Sequence, residues 1–193
     1  MRIGLISDTH VPEACAELWP QVFEAFDGVD GIIHAGDIYD LRILDQLHEV
    51  APVLGARGNG DDGSGGRPVQ PHDERLGDPH LVEIGGLWIG INHVMPIPEM
   101  PPHLTVAAAL ERLWPHRRPD VVVYGDTHVE HIATIDGILC VNPGSPTLPH
   151  NLNTQMGTIG FLDIDAGQAG ATIWKIEPHG IEPFDWDTWG RPW

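Results

Sequence analysis

Basic residues are scarce. Ten Lys and Arg, with Lys175 the single lysine, face 28 Asp and Glu, for a formal net charge of -18. A protein that grips long nucleic acid needs clustered cations to displace condensed counterions, so long nucleic acid is not an expected partner. Cysteine is nearly absent as well: Cys15 and Cys140 give no disulfide framework. Cys140, inside the apolar run 138–141, reads as a small buried hydrophobe. No segment approaches the roughly 18 consecutive apolar residues of a membrane span, so no membrane association is expected. The apolar start, residues 1–6, is broken by Ser7-Asp8 and is too short for a signal peptide, which makes the cytoplasm the expected location. There is no G-x-G-x-x-G after the first apolar run, which disfavours dinucleotide binding.

The 193 residues are 41% apolar, enough for one domain with a full core. Residues 2–7 form a nearly continuous apolar run and predict a strand buried on both faces. A helical stretch is expected next, with Pro20 at the first position of a second helix. A strand over 31–34 follows, then a helix over 41–50 with Asp40 as N-cap and Leu41, Leu44, Leu47 and His48 on one face, then a strand over 52–54. Residues 58–80, rich in Gly, Pro, Asp and Arg, read as a long loop. Gly85-Gly86 between 81–84 and 87–91, and Asp136-Gly137 between 132–135 and 138–141, are hairpin signals. Thr105 is expected to cap a helix to about Leu113, and strands are expected over 121–124, 159–164 and 171–176. Alternating strands and helices early, with hairpins late, imply an α/β sandwich of two mixed sheets with helices outside. The domain is taken as residues 1–176. An acidic, aromatic tail follows over 177–193, with Trp186, Trp189 and Trp193 to pack on the body or on a partner, and a homo-oligomer stays open.

Metal-capable residues recur just after apolar runs: Ser7-Asp8-Thr9-His10, Gly36-Asp37, Gly58-Asn59-Gly60-Asp61, Asn92-His93 and Gly125-Asp126-Thr127-His128. A D-x-H pair puts both side chains on one face of an extended segment. Loops at the carboxyl ends of strands in an open α/β sheet converge on one crevice, so ligands far apart in sequence can meet. Imidazole nitrogens and carboxylate oxygens together suit first-row divalent metals. Taken singly, each segment is also ordinary turn chemistry; their ordered conjunction is what points to a site.

The ordered set D-x-H, G-D, G-N-x-D, H and G-x-T-H, followed by Asn142-Pro143-Gly144-Ser145, resembles the calcineurin-like metallophosphoesterase superfamily, and within it the small bacterial and archaeal phosphodiesterases. The resemblance covers residues 1–176. It implies a four-layer αββα sandwich with a two-metal site at the strand ends. Asp8, His10, Asp37 and His128 would hold the first ion; Asp37, as a bridging carboxylate, with Asn59, His93 and Asp126 would hold the second. Two such ions acidify a shared water, and the hydroxide attacks phosphorus in line. No protein nucleophile is then required, consistent with the lack of a convincing Ser-His-Asp or Cys-His arrangement. Asp61 would orient Asn59 or a ligating histidine, and Arg57 would reach a substrate oxygen or form a structural ion pair. A small phosphate ester, a diester before a monoester, is the implied substrate.

The sequence departs from the family in three places. Asp126 stands where the family has histidine; a carboxylate still coordinates and favours harder ions, so manganese is expected first, with Fe, Ni, Co, Zn or Mg also compatible. Gly60 stands where many relatives carry a histidine that protonates the leaving group. His93 is followed by Val94 rather than glycine. The alternative to an enzyme is a phosphoesterase-fold protein-binding scaffold with a degraded metal site, as in a retromer subunit that shares the fold.

Overall fold

A computed structural model describes residues 1–188; Trp189 and Trp193 of the aromatic tail lie outside the described residues. In chain order the elements are β1 (Arg2–Ile6), α1 (Pro20–Phe26), β2 (Gly31–His34), α2 (Arg42–His48), β3 (Val53–Ala56), β4 (Leu76–Gly77), β5 (His80–Ile84), β6 (Leu87–Ile91), α3 (Val106–Leu113), β7 (Val121–Val123), β8 (His131–Ile135), β9 (Ile138–Asn142), β10 (Thr158–Asp165), β11 (Gln168–Glu177) and β12 (Gly180–Pro183). A seven-stranded sheet runs β12-β11-β10-β1-β2-β3-β4, and a five-stranded sheet runs β5-β6-β7-β9-β8. Both are mixed: β1 to β4 are parallel neighbours and β10 is antiparallel to β1, while β6, β7 and β9 are parallel and flanked by antiparallel β5 and β8.

Successive strand residues point to opposite faces, and here both faces are covered. Ile3 and Leu5 of β1, with Ile33 of β2, pack against Ile89, Ile91, Val121, Val123 and Val141 of the second sheet. Their neighbours Ile6 and Ile32 face the other way, into Val22 and Phe26 of α1 and Ile43, Leu44 and Leu47 of α2. On the outer face of the second sheet, Val122, Tyr124 and Cys140 pack under Val106, Ala109 and Leu110 of α3. The order is therefore helix, sheet, sheet, helix: the four-layer αββα sandwich expected from the sequence.

The hairpins follow their glycine signals. Gly85 and Gly86 have φ of 59° and 81°, and Asp136 and Gly137 have 51° and 79°, the left-handed pairs that match the twist of two-residue hairpins. Thr105 caps α3 by accepting from the Ala108 N–H at 3.2 Å. Four local expectations need correction. The expected loop over 58–80 ends in the short strand β4, which pairs with β3, and in the first residue of β5. Residues 11–19 are turns rather than a helix, and α1 starts at Pro20, whose ring suits the first helical position. Asp40 does accept from the Arg42 N–H at 3.0 Å, but Leu41 occupies the cap of a shorter helix. The buried face of α2 is Ile43, Leu44 and Leu47; His48 is exposed, because one helical turn places it on the solvent side. The tail contributes β12, antiparallel to β11, and Trp186 meets Phe184 edge-to-face at 4.8 Å between centroids.

Among the described residues no helix is long and apolar enough to cross a membrane. A Cβ added at Gly4 would lie 2.8 Å from the Phe26 ring, in the layer between β1 and α1. Gly4→Ala is accordingly expected to cost about 1–3 kcal/mol by overpacking, read as a lower midpoint in urea denaturation with an unchanged slope.

Candidate metal centre

The loops leaving β1, β2, β3, β6 and β7 meet at one end of the sandwich. The loop after β1 docks on the loop after β2 through its backbone: Asp8 N–H donates to Gly36 O at 2.9 Å and His10 N–H to Asp37 O at 3.0 Å. Asp8, His10, Asp37, Asp126 and His128 all adopt left-handed φ, from 46° to 70°. The two D-x-H segments are thus kinked rather than extended as the alternation rule suggests. A non-glycine residue in that region costs roughly 1–2 kcal/mol, and such strain clusters where a side chain must be aimed.

The aim is common. Asp8, His10, Asp37, His93 and His128 are buried. One ligand atom from each of Asp8, His10 and His128 lies within 4.8 Å of the others, and the same holds for Asp8, Asp37 and His93. Asp8 Oδ1 is 3.8, 3.8 and 3.4 Å from the Nε2 atoms of His10, His93 and His128. Asp37 presents Oδ2 to His10 at 3.3 Å and Oδ1 to His93 at 3.5 Å. Each carboxylate therefore faces both triads, whereas the resemblance assigned that place to Asp37 alone.

These residues fit a divalent cation. Nδ1 of His93 is 2.7 Å from Ala35 O and Nδ1 of His128 is 2.7 Å from Leu148 O, which makes Nδ1 the donor and turns Nε2 toward the carboxylates. Asp8 Oδ2, His10 Nε2 and His93 Nε2 are buried with no hydrogen-bond partner, an arrangement too costly to leave uncompensated. Burial alone would push the Asp8 carboxyl up, yet His10, His93 and His128 bring it below the usual carboxylate range. Asp37 is likewise lowered, burial being outweighed by His93 and the Gly60 N–H. Burial opposes the His93 imidazolium, but Asp37 and Asp8 push its pKa up to about 9. The cluster draws positive charge to itself.

A second tier holds the loops. Asp61, fully buried, accepts from Ile38 N–H (3.1 Å), Tyr39 N–H (2.9 Å) and Gly58 N–H (2.9 Å). It thus pins the backbone around Asp37, and its expected role of orienting Asn59 or a histidine is corrected accordingly. His34 accepts from Gly36 N–H at 3.2 Å through Nδ1, so Nε2 donates to Thr9 Oγ1 at 3.1 Å. Ser145 and Thr147 hydroxyls donate to Asp8 O at 2.7 Å and Thr9 O at 2.6 Å, and the Asn142 amide donates to Gly125 O at 2.8 Å. The glycines of the recurring segments leave room for the ligands: a Cβ at Gly58 would lie 2.1 Å from Asp37 Oδ1, and one at Gly125 would lie 2.6 Å from Asp8 Oδ2.

The remaining expected residues sit at the rim or turn away. Asp126, 43% exposed at its side chain, places Oδ1 3.9 Å from His93 Nε2. Asn59 is exposed, with its carbonyl accepting from Gly65 N–H at 2.7 Å. Arg57 donates to Gln70 O at 3.1 Å and Pro71 O at 2.9 Å, stapling the long loop, which is its structural reading rather than a substrate contact. Two residues not expected at the site border it: Tyr39, whose ring centroid is 4.3 Å from that of His10, and His150, stacked 4.4 Å from His128. Proximity to Asp37 was a usable signal for Tyr39; nothing in the chain pattern marks His150.

The sequence pattern of the calcineurin-like phosphoesterase superfamily domain matches residues 1–167. The chain belongs to this superfamily. A protein of Methanothermobacter thermautotrophicus named a probable metallophosphoesterase is 35% identical over 173 residues, 90% of this chain and 91% of its own. A protein named phosphodiesterase from Methanocaldococcus jannaschii is 28% identical over 176 residues, 86% of this chain and 94% of its own. Vacuolar Protein Sorting 29 from Cryptosporidium parvum has the same fold, with a TM-score of 0.73 at 18% identity, covering 94% of each chain.

Removing the Asp61 acceptors strands three buried N–H groups. Asp61→Ala is expected to lose about 2–4 kcal/mol, read by thermal denaturation, and to weaken metal uptake measured on the same sample. Burial lowers the pKa of His34 to about 3. In the unfolded chain a histidine takes up a proton near pH 6.5, while folded His34 resists until about pH 3. Stability of the metal-free protein should therefore fall as pH drops through that window, and His34→Gln should lessen the slope in acid titrations followed by circular dichroism.

Proposed function

We propose that this protein is a metal-dependent phosphodiesterase acting on small phosphate esters. Asp8, His10, Asp37 and His128 would hold one divalent ion, and Asp37 and His93 would hold a second, with Asn59 and Asp126 coming in from the rim; the carboxylates favour manganese. When bound, the pair supplies a hydroxide for in-line attack on phosphorus and screens the phosphoryl oxygens. The observation that carries this reading is the convergence of Asp8 and Asp37 on the buried imidazoles of His10, His93 and His128, with the inward nitrogens of His10 and His93 left unpartnered. The phosphodiesterase name of the archaeal relative supports a diester over a monoester.

The chain's own part is to aim and to exclude. The carbonyl partners of His93 and His128 hold both rings with Nε2 aimed at where an ion would sit, and His93 would give up its proton on binding one. A side chain at position 60 is barred, since its Cβ would lie 2.0 Å from Tyr39 Cε1. No histidine can donate a proton from there, and the leaving oxygen must depart on its own stability. Esters of acidic alcohols should react best. The acidic surface, at a formal charge of -18, favours a small substrate over a polyanion.

The purified chain is expected to bind two manganese ions by elemental analysis, and to hydrolyse bis(p-nitrophenyl) phosphate in a reaction that a chelator stops and added manganese restores. Asp37→Ala should lower kcat by on the order of 1000-fold. Metal uptake without turnover would favour the scaffold reading instead. Should Asp126→His gain nothing and only one ion ever bind, the two-ion mechanism is lost.

A further inference from the structure

A row of rings crosses the mouth of the centre. His10 lies between Tyr39, at 4.3 Å, and His128, at 4.7 Å, and His128 stacks in turn on His150. At the Tyr39 end the row carries a cation: the Arg67 guanidinium carbon is 3.7 Å from the Tyr39 ring centroid. Tyr39 is put there deliberately. Its φ is 73°, unusual for a bulky residue, and its N–H and C=O are both held, by Asp61 and by the Gln70 amide at 2.6 Å. Gly60 supplies the space for the ring.

Arg67 differs from Arg57, which is engaged by the carbonyls of its own loop. The Arg67 side chain is 23% exposed, its Nε is buried without a hydrogen-bond partner, and Nη1 is ion-paired to Glu13, whose side chain is 61% exposed. A pair with so exposed a partner contributes little and is readily exchanged. A planar guanidinium offers the paired N–H donors that phosphoryl oxygens take, beside the cations that Asp8, Asp37 and Asp126 would hold. The same ring that touches the His10 imidazole carries that guanidinium.

We propose that Arg67 is a positioning residue for the substrate phosphate: a phosphoryl oxygen replaces Glu13 at the guanidinium, which Tyr39 keeps flat and in place, and Glu13 occupies the donors until then. This rests on the phosphoesterase reading above and adds to it the group that orients the ester.

The test is calorimetric titration of inorganic phosphate into the manganese-loaded protein, with metal content and thermal midpoint measured on each sample. Arg67→Gln should weaken phosphate about tenfold or more, the loss of a charge-assisted contact, with the wild-type metal content retained. Arg67→Lys should recover part of that loss, because an ammonium keeps the charge but not the stacked plane. Glu13→Gln should tighten phosphate about two- to threefold by removing the competitor. In aryl-diester turnover, Arg67→Gln should raise KM more than it lowers kcat. Equal phosphate affinity in wild type and Arg67→Gln overturns the proposal, as does Glu13→Gln weakening phosphate as much as Arg67→Gln, which would make the pair a loop staple. If Arg67→Gln fails to fold, the Arg67→Lys and Glu13→Gln arms decide. A chain that takes up no manganese overturns the phosphoesterase reading and this proposal together; one that takes up two ions but binds phosphate independently of Arg67 overturns only the latter.

Discussion

Two carboxylates, Asp8 and Asp37, are buried where the two sheets meet, and the structure is organised around compensating that charge. An isolated buried carboxylate is costly unless it is neutralised, paired or bound to a metal. Imidazoles from three loops approach close enough to lower both carboxyl pKa values. The fold spends its irregular backbone here too: five of the aimed residues sit in left-handed conformations, in loops held by hydrogen bonds to Asp61 and from Ser145, Thr147 and Asn142. The regular layers serve as a frame rigid enough to keep that strain from relaxing.

Fold and chemistry divide the sequence between them cleanly. Apolar residues such as Ile3, Leu5, Val121 and Val123 build the space between the sheets and end where the polar loops begin. The short polar segments then carry the ligands, and their glycines are matters of room as much as of conformation, since a methyl at Gly58 or Gly125 would enter the cluster. The second tier is as specific as the first. Asp61 accepts from the backbone N–H groups of Ile38 and Tyr39 next to Asp37, and His34 holds the Gly36 N–H and the Thr9 hydroxyl.

Much of the architecture was legible because it is written locally. Continuous apolar runs marked the doubly covered strands, and glycine-bearing turns marked the hairpins at 85–86 and 136–137. The convergence of Asp8, Asp37, His93 and His128 was legible from their recurrence after strands, a pattern topology turns into proximity. What escaped was set by contacts across long separations. The turns at 11–19 carry helix-compatible residues, but Pro20 begins the helix later. The kinks at Asp8 and His10 arise from docking on Gly36 and Asp37, which no D-x-H rule contains. Asp61 looked like a partner for side chains and proved to be an acceptor for backbone, because the loop after β2 folds over it. Tyr39 and His150 became part of the site only through stacking on imidazoles from other loops.

The members of the cluster come from both halves of the sandwich: Asp8, His10 and Asp37 follow strands of the seven-stranded sheet, and His93, Asp126 and His128 follow strands of the five-stranded one. A cation held among them is a rivet through the two sheets. Its affinity is then measured against parting those sheets as well as against water, so occupancy adds to the cohesion of the whole sandwich in proportion to the logarithm of free metal. With an ion bound, ion supply in the surroundings would bear on the cohesion of the sandwich and not on its chemistry alone.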